Sequence, residues 1–145
     1  MTTFVVDASV VVKCVNEEDQ TAQAEALMLL SADSRIGLAA PDLLELEVTS
    51  VVVRAVRRGN LGLQEARAAT MLLRGLGIEQ LPHRAFLDQA FELALAHQQA
   101  VYDCLYLALA LQIQCPLITA DRRFHEGVRR SFPMVLMLGA PIPGL

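Results

Sequence analysis

The stretch Thr3-Phe4-Val5-Val6-Asp7 is a short run of strand-forming residues that ends on an acid. β-Branched and aromatic residues favour strands, and a short apolar run of this kind is typical of a buried strand. Similar runs recur along the chain. The predicted strands are Thr3–Val6, Ile36–Ala39, Ile78–Leu81, Pro116–Thr119 and Met134–Met137.

Longer segments with helical periodicity lie between these strands. The clearest predicted helices are Thr21–Ser31, Leu43–Arg58, Leu63–Leu76, Ala85–Gln98 and Asp103–Gln114. Alternating strands and helices predict parallel pairing through right-handed crossovers. We therefore expect one α/β domain over residues 1–145, a three-layer α/β/α sandwich around a central parallel sheet of four to five strands.

The composition is that of a folded protein. A chain of 145 residues has the length of one ordinary domain, and 54% hydrophobic with only 19% charged residues excludes a disordered segment. So much apolar side chain favours a homo-oligomer or a dedicated binding partner. A core rich in alanine, valine and leucine is the simpler alternative.

Two features of the sequence indicate the compartment. The apolar stretch 4–12 is interrupted by Asp7 and has no basic leader, and no apolar run approaches the roughly 20 residues of a membrane span. The cysteines Cys14, Cys104 and Cys115 are odd in number and show no metal-binding spacing. We expect buried thiols in a cytoplasmic protein with no membrane segment.

Acidic residues follow two of the predicted strands. Asp7 ends the first strand, and Asp121 follows the fourth. Ligands of open α/β sheets bind outside the carboxyl ends of the strands, so both acids stand where a site is expected. Each could equally be a helix N-cap. Asp103 opens a predicted helix, where an acid also suits the helix dipole.

A further carboxylate lies inside the helix that follows the second strand. Glu47 stands among leucines and valines, where a carboxylate is costly unless it is exposed or paired with a cation. Glu45 competes for the same role, and helical periodicity alone does not choose between them.

Carboxylates gathered at one site raise each other's pKa and destabilise the fold unless a cation offsets the repulsion. Oxygen ligation without His or Cys favours Mg²⁺ or Mn²⁺ over zinc, and such a metal orients and deprotonates water for phosphodiester hydrolysis. Ser9 and Thr119 each stand two residues from an acid. They could hold a carboxylate or a metal-bound water, or be ordinary turn hydroxyls.

Four short motifs follow one another along the chain: Val-Val-Asp7-Ala-Ser9, Pro41-Asp-Leu-Leu-Glu-Leu-Glu47, Tyr102-Asp103-Cys-Leu-Tyr106 and Thr119-Ala-Asp121. Together they resemble the PIN domain family, and more narrowly the VapC-type toxins of bacterial and archaeal toxin–antitoxin pairs. The resemblance covers nearly the whole chain in order and size.

This resemblance implies a Mg²⁺- or Mn²⁺-dependent endoribonuclease whose catalytic acids are Asp7, Glu47, Asp103 and Asp121. It selects Glu47 over Glu45 and assigns the metal to Asp7, Asp103 and Asp121. It also implies that the first and fourth strands are neighbours. The expected partners are an RNA substrate, a second copy of the chain in a homodimer, and a small antitoxin that inserts an apolar helix into a groove and an arginine into the acidic site.

The formal net charge of −4 speaks against a nucleic-acid binder, but without the four site acids the rest of the chain is formally neutral. Guanidinium groups bind phosphates, and five arginines stand near the acids in sequence. They are Arg54, Arg57 and Arg58 at the end of the Glu47 helix, and Arg122 and Arg123 after Asp121. These are candidate contacts to RNA or antitoxin, although Arg57 and Arg58 could simply complement the helix dipole.

Other residues are expected to contribute less. Lys13, the sole lysine, is expected in the turn after Asp7, either near the site or solvated. RNA-binding proteins stack unpaired bases on aromatic rings, but the chain has five Phe, two Tyr and no Trp. We expect Tyr102 and Tyr106 to pack in the core.

Three alternatives share parts of this pattern. A receiver-like signalling domain gathers acids at strand ends but needs a lysine after a late strand, and this chain has only Lys13. A haloacid-dehalogenase-like phosphatase needs Asp-x-Asp after its first strand, and here the second acid is replaced by Ser9. A PIN fold that has lost catalysis and only binds a partner is the third.

Overall fold

A computed structural model describes residues 1–16 and 19–142. Within these residues, five strands form one sheet in which every pairing is parallel. The strands are β1 (Thr2–Val6), β2 (Ile36–Pro41), β3 (Glu79–Leu81), β4 (Leu117–Thr119) and β5 (Val135–Met137). Their order across the sheet is β3-β2-β1-β4-β5, so the expected contact between the first and fourth strands is present.

Seven helices connect these strands in the described residues, and a 3-10 turn at His83–Phe86 lies directly before the helix Leu87–His97. The helices are α1 (Ala8–Val15), α2 (Thr21–Ala32), α3 (Leu44–Arg57), α4 (Leu63–Arg74), α5 (Leu87–His97), α6 (Val101–Ile113) and α7 (Arg122–Val128).

Helix α6 is the central helix of the molecule. Every residue from Cys104 to Ala110 is buried, because α6 lies between the sheet on one side and α5 on the other. Helix α1 instead packs against α2, α3 and α4. Right-handed crossovers place α1 to α4 on one face of the sheet and α5 to α7 on the other, which confirms the predicted α/β/α sandwich.

Helix α1 is absent from the predicted helices. Its run Val10, Val11 and Val12 is β-branched and favours a strand locally. The structure overrides this preference because the Asp7 carboxylate accepts a hydrogen bond from the Ser9 amide and caps the helix, and because all three valines are buried. Lys13 therefore lies on a helix, not in a turn as expected.

A glycine sets the length of α3, the helix that carries Glu47. Gly59 has φ +76°, a left-handed conformation that costs glycine little. Its amide donates to the carbonyl of Val56, and the next amide, of Asn60, donates to Ala55, which together form a Schellman motif. The helix therefore ends at Arg57, close to the predicted boundary.

The structure also tests the expectations that the cysteines are buried and that the chain has no membrane segment. Cys104 is buried as expected, whereas Cys14 and Cys115 are only partly buried, and all three are free. Over the described part of the chain, none of the helices has the length and apolar character needed to cross a membrane.

Candidate functional site: an acidic cleft

Four acids from separate parts of the chain line one cleft of about 800 Å³ at the carboxyl edge of the sheet. Asp7 directly follows β1, and Asp121 lies two residues beyond the end of the neighbouring strand β4. Glu47 comes from the first turn of α3, and Asp103 from the first turn of α6. The parallel sheet brings the first two together, and helices from its opposite faces supply the others.

Asp7 is the most deeply buried acid of the cleft. One oxygen accepts from the Ser9 amide, and the other accepts a 2.6 Å hydrogen bond from the Thr119 hydroxyl. Burial raises the pKa of Asp7, these hydrogen bonds oppose the rise, and the charge of Asp121 adds to it. Asp7 therefore combines a fixed orientation with an unfavourable negative charge.

Ser9 and Thr119 together hold the two strand ends. The Thr119 hydroxyl gives its proton to Asp7 and accepts from the Asp121 amide at 3.1 Å. Since that proton is used, the Ser9 hydroxyl, 3.3 Å away, is the donor to Thr119, and it accepts from the Ala120 amide at 2.9 Å. The Thr119 hydroxyl thus holds the Asp7 carboxylate directly and the Ser9 hydroxyl supports Thr119, which is the first of the three possibilities that the sequence left open.

Glu47 is held by a tyrosine from the opposite wall of the cleft. The hydroxyl of Tyr106 donates a 2.7 Å hydrogen bond to Oε1 of Glu47. Burial raises the pKa of Glu47, this hydrogen bond lowers it, and the charge of Asp7 raises it further. Glu45 does not line the cleft and accepts instead from the amide of Gln80. The cleft acid is therefore Glu47.

Asp103 is a partly buried acid that is repelled by the other three acids of the cleft. Burial, and then the charges of Asp7, Asp121 and Glu47, raise its pKa to about 7. Asp121 has a structural role as well, because its Oδ1 accepts a 3.0 Å hydrogen bond from the Phe124 amide and caps α7. Asp121 is therefore both an N-cap of α7 and one of the acids that line the cleft.

The donor set of the cleft fits a hard divalent cation. Its described lining contains four carboxylates and neither His nor Cys, and oxygen is the ligand that Mg²⁺ and Mn²⁺ prefer. The mutual repulsion of these carboxylates is what a divalent cation would relieve. As the side chains are oriented, no three acids in the described residues converge on a single ion position. Ligation by three of them requires side-chain rotation.

The structure brings only one of the five candidate arginines into the cleft. Arg54 lines the cleft, whereas Arg57 lines a separate groove between α3 and α4. Arg58, Arg122 and Arg123 are exposed and are not part of the cleft lining. Position in sequence was a poor guide here, because a helix turns neighbouring side chains to different sides.

Tyr102 is the cleft residue that sequence reasoning misplaced. Tyr106 is 1% exposed as expected, but Tyr102 is 56% exposed and lines the cleft beside Asp103. The two tyrosines stand one turn apart on α6, and only the second is covered by neighbouring elements. On α3, helical spacing is a signal that could have identified the cleft face, whose members are Leu43, Leu46, Glu47, Ser50, Val51 and Arg54.

Comparison with known proteins supports one family. The family model described as PIN domain matches residues 4–128. A VapC ribonuclease of Mycobacterium bovis is 28% identical over 134 residues, covering 92% of this chain and 98% of the relative. Ribonuclease VapC1 of Mycobacterium tuberculosis is 34% identical over 119 residues, covering 82% of this chain and 86% of the relative.

Solved structures share the fold at low sequence identity. A Pyrobaculum aerophilum protein superposes with a TM-score of 0.68 at 16% identity, covering 94% of this chain and 91% of its own. The sarcin-ricin loop cleaving toxin VapC20 of Mycobacterium tuberculosis gives 0.64 at 16% identity, covering 85% and 93%. VapBC2 of Rickettsia felis, bound to a promoter DNA fragment, gives 0.60 at 12% identity, covering 94% and 97%.

Proposed function

This chain belongs to the PIN domain family, and on that premise we propose that it is a metal-dependent endoribonuclease, the toxin of a toxin–antitoxin pair. The observation that carries the proposal is the cleft in which Asp7, Glu47, Asp103 and Asp121 lie together. The names of its relatives as VapC ribonucleases support the same activity. Residues 1–145 act as a single PIN domain in this proposal.

The cofactor of this proposal is Mg²⁺, with Mn²⁺ as a substitute, held by Asp7, Asp103 and Asp121. When bound, it supplies an activated water and positive charge at the departing oxygen of the cleaved phosphodiester. Burial and then the charges of the other three acids raise the pKa of Asp103 to about 7, and this unfavourable negative charge supports a cation at this place.

The protein's own groups have separate tasks in this proposal. Thr119 and the Ser9 amide keep Asp7 in one orientation, and Tyr106 does the same for Glu47. Glu47 receives a proton from the attacking water, a role that its raised pKa favours. Arg54, on the same face of α3, binds a phosphate of the RNA backbone.

Cleavage of RNA by the purified protein tests the activity. We expect cleavage in Mg²⁺ that stops on adding EDTA and returns with excess Mg²⁺. Asp7→Asn and Asp103→Asn should abolish it, whereas Glu45→Gln should cleave like wild type, because Glu45 lies outside the cleft lining. Asn variants that cleave as well as wild type would overturn the assignment.

The proposed antitoxin site is an apolar groove between α3 and α4. The groove has a volume of about 310 Å³, and its lining includes Val52, Val53, Val56, Leu63 and Ala66. An amphipathic helix fits such a surface, and an arginine following it would reach the acidic cleft. The fold shared with VapBC2 supports an antitoxin as the partner. The protein encoded beside this gene should copurify with wild type and be lost from Val53→Glu.

The homodimer and the compartment complete the proposal. Leu87, Phe91 and Leu95 are exposed at four-residue spacing on α5 and form one apolar stripe, which supports pairing of two copies. Light scattering should give a dimer for wild type and a monomer for Phe91→Glu. Because the proposed substrate is cellular RNA, the proposed compartment is the cytoplasm.

A further inference from the structure

Two large side chains that are exposed to solvent stand in the acidic cleft, each directly before one of its acids. Tyr102 is 56% exposed and precedes Asp103, and Leu46 is 67% exposed and precedes Glu47. A single exposed apolar residue is ordinary on a protein surface. These two belong to different helices, α6 and α3, yet line the same cleft.

The two helices are joined where these residues lie. The hydrogen bond from Tyr106 to Glu47 holds the second turn of α6 against the first turn of α3. Tyr102 lies one turn before Tyr106, and Leu46 is adjacent to Glu47. Each helix thus contributes one exposed apolar side chain, next in sequence to an acid, to the lining of the same cleft.

We propose that Tyr102 and Leu46 form a nucleobase subsite, in which an unstacked base of the RNA lies on the Tyr102 ring and against Leu46. The inference rests on the proposed ribonuclease function and deepens it. Unpaired bases of RNA stack readily on aromatic rings, and such stacking tolerates different bases because each has a π-face. The stacked base belongs to a nucleotide that flanks the cleaved phosphodiester.

Arg54 favours a nucleotide over a protein segment as the occupant. Leu46, Ser50 and Arg54 follow at four-residue spacing along one face of α3, so Arg54 lies roughly 12 Å along the helix axis from Leu46. The cleft thus offers an apolar surface for a base at one end and a guanidinium for a backbone phosphate farther along. An apolar surface followed by a guanidinium matches the base and the backbone phosphate of an RNA strand.

The test removes the ring and the base separately. Wild-type protein is first incubated with total bacterial RNA and Mg²⁺, and the cleaved bond is mapped. A short single-stranded RNA spanning that bond is then made intact and with an abasic ribose at each flanking position. The kcat/KM is measured for wild type, Tyr102→Ala, Tyr102→Phe and Leu46→Ala. The control is Leu29→Ala, since Leu29 is 64% exposed on α2 and does not line the cleft.

We expect Tyr102→Ala to lower kcat/KM on the intact RNA roughly tenfold or more, and Leu46→Ala to lower it less. Tyr102→Phe, which keeps the ring, should retain most of the wild-type kcat/KM, and Leu29→Ala should match wild type. On the RNA that lacks the stacked base, wild type and Tyr102→Ala should be equal, because the ring has nothing left to bind.

Three results would overturn the subsite. One is a Tyr102→Ala variant that cleaves the intact RNA like wild type. Another is a loss of the same size on every abasic RNA, which would make the ring structural. The third is unchanged cleavage with loss of the copurifying protein partner, which would assign the ring to a protein interface. A wild-type protein that leaves all RNA intact overturns the proposed function itself, and the two failures are thus distinct.

Discussion

The hydroxyl of Tyr106 donates a 2.7 Å hydrogen bond to Oε1 of Glu47, two residues that lie 59 positions apart in sequence. Tyr106 is buried in the central helix, whereas Glu47 opens onto the cleft. A rigid part of the core therefore orients a carboxylate of the proposed catalytic site. Few side chains combine a core position with a donor that reaches a cleft in this way.

Tyr106→Phe tests this relationship. Removing the hydroxyl frees the Glu47 carboxylate to rotate, and we expect kcat to fall about tenfold with little change in KM. Because the hydrogen bond favours ionised Glu47 and lowers its pKa, the acid limb of the pH–rate profile should move to higher pH. Tyr102→Phe removes the hydroxyl of an exposed tyrosine, whereas the donor to Glu47 is Tyr106. It should therefore not move the acid limb of the pH–rate profile. An unchanged acid limb in Tyr106→Phe would contradict the positioning role.

The dependence of stability on pH should carry the signature of Asp103. Its pKa rises from 3.8 to about 7 on folding, so the folded protein holds this proton more tightly than the unfolded chain. In EDTA, the contribution of Asp103 to the free energy of unfolding should therefore be fully present below pH 3.8 and be lost as the pH rises through about 7. Asp7 and Glu47, whose pKa values are also raised, act in the same direction.

Asp103→Asn should make this decrease shallower, which urea titrations at several pH values in EDTA will show. At pH values above 7 the variant should be more stable than wild type, because one repelling charge is gone. Added Mg²⁺ should stabilise wild type more than the variant. Parallel pH curves for the two proteins would show that Asp103 has no such shift.

Thr119→Val measures the hydroxyl network behind the cleft. The substitution keeps the volume but removes the donor to Asp7 and the acceptor of the Asp121 amide. We expect a loss of about 2 kcal/mol in the free energy of unfolding, together with weaker cleavage. Thr119→Ser should retain most of both.

Thr70→Val is the matched control for Thr119→Val. The Thr70 hydroxyl donates to a carbonyl of its own helix near the surface. Its removal should change stability by less than about 0.5 kcal/mol. Equal free energies of unfolding for the two valine variants would show that the hydrogen bonds of Thr119 stabilise the fold no more than that of Thr70.

Arg54 and Arg57 form a natural pair for testing RNA contact. Both are exposed on α3, but only Arg54 lines the cleft. Arg54→Ala should weaken RNA binding and reduce the slope of log affinity against log salt by about 1, as expected for one lost phosphate contact. Arg57→Ala should leave both values unchanged. Fluorescence anisotropy across a salt series measures them, and equal effects of the two variants would place the RNA elsewhere.

Much of the framework is predictable from local sequence. Asp7 and Asp121 end apolar runs, and in a parallel sheet the ends of neighbouring strands lie side by side. Glu47 was harder, because Glu45 is equally compatible with the helical pattern. The structure separates them through their partners, Tyr106 for Glu47 and Gln80 for Glu45. Contacts between residues so far apart in sequence cannot be predicted from the helical periodicity of one segment.

The errors have the same physical origin. Local preference of Val10, Val11 and Val12 for strands is outweighed in α1 by the Asp7 cap and by burial. Tyr102 and Tyr106 stand one turn apart on the same helix, and the extent of tertiary cover makes one exposed and the other buried. The orientation of Arg54 towards the cleft and of Arg57 away from it likewise depends on how α3 is rotated in the packed structure.

The direct pairing of β1 with β4 has a consequence during protein synthesis. Thr119, the hydrogen-bond partner of Asp7, is encoded 112 codons after it. Until then the middle strand of the sheet lacks one neighbour, and the acids have no common enclosure. A nascent chain that stops short of these residues lacks the complete cleft, so the proposed nuclease site assembles only after Asp121 has been synthesised.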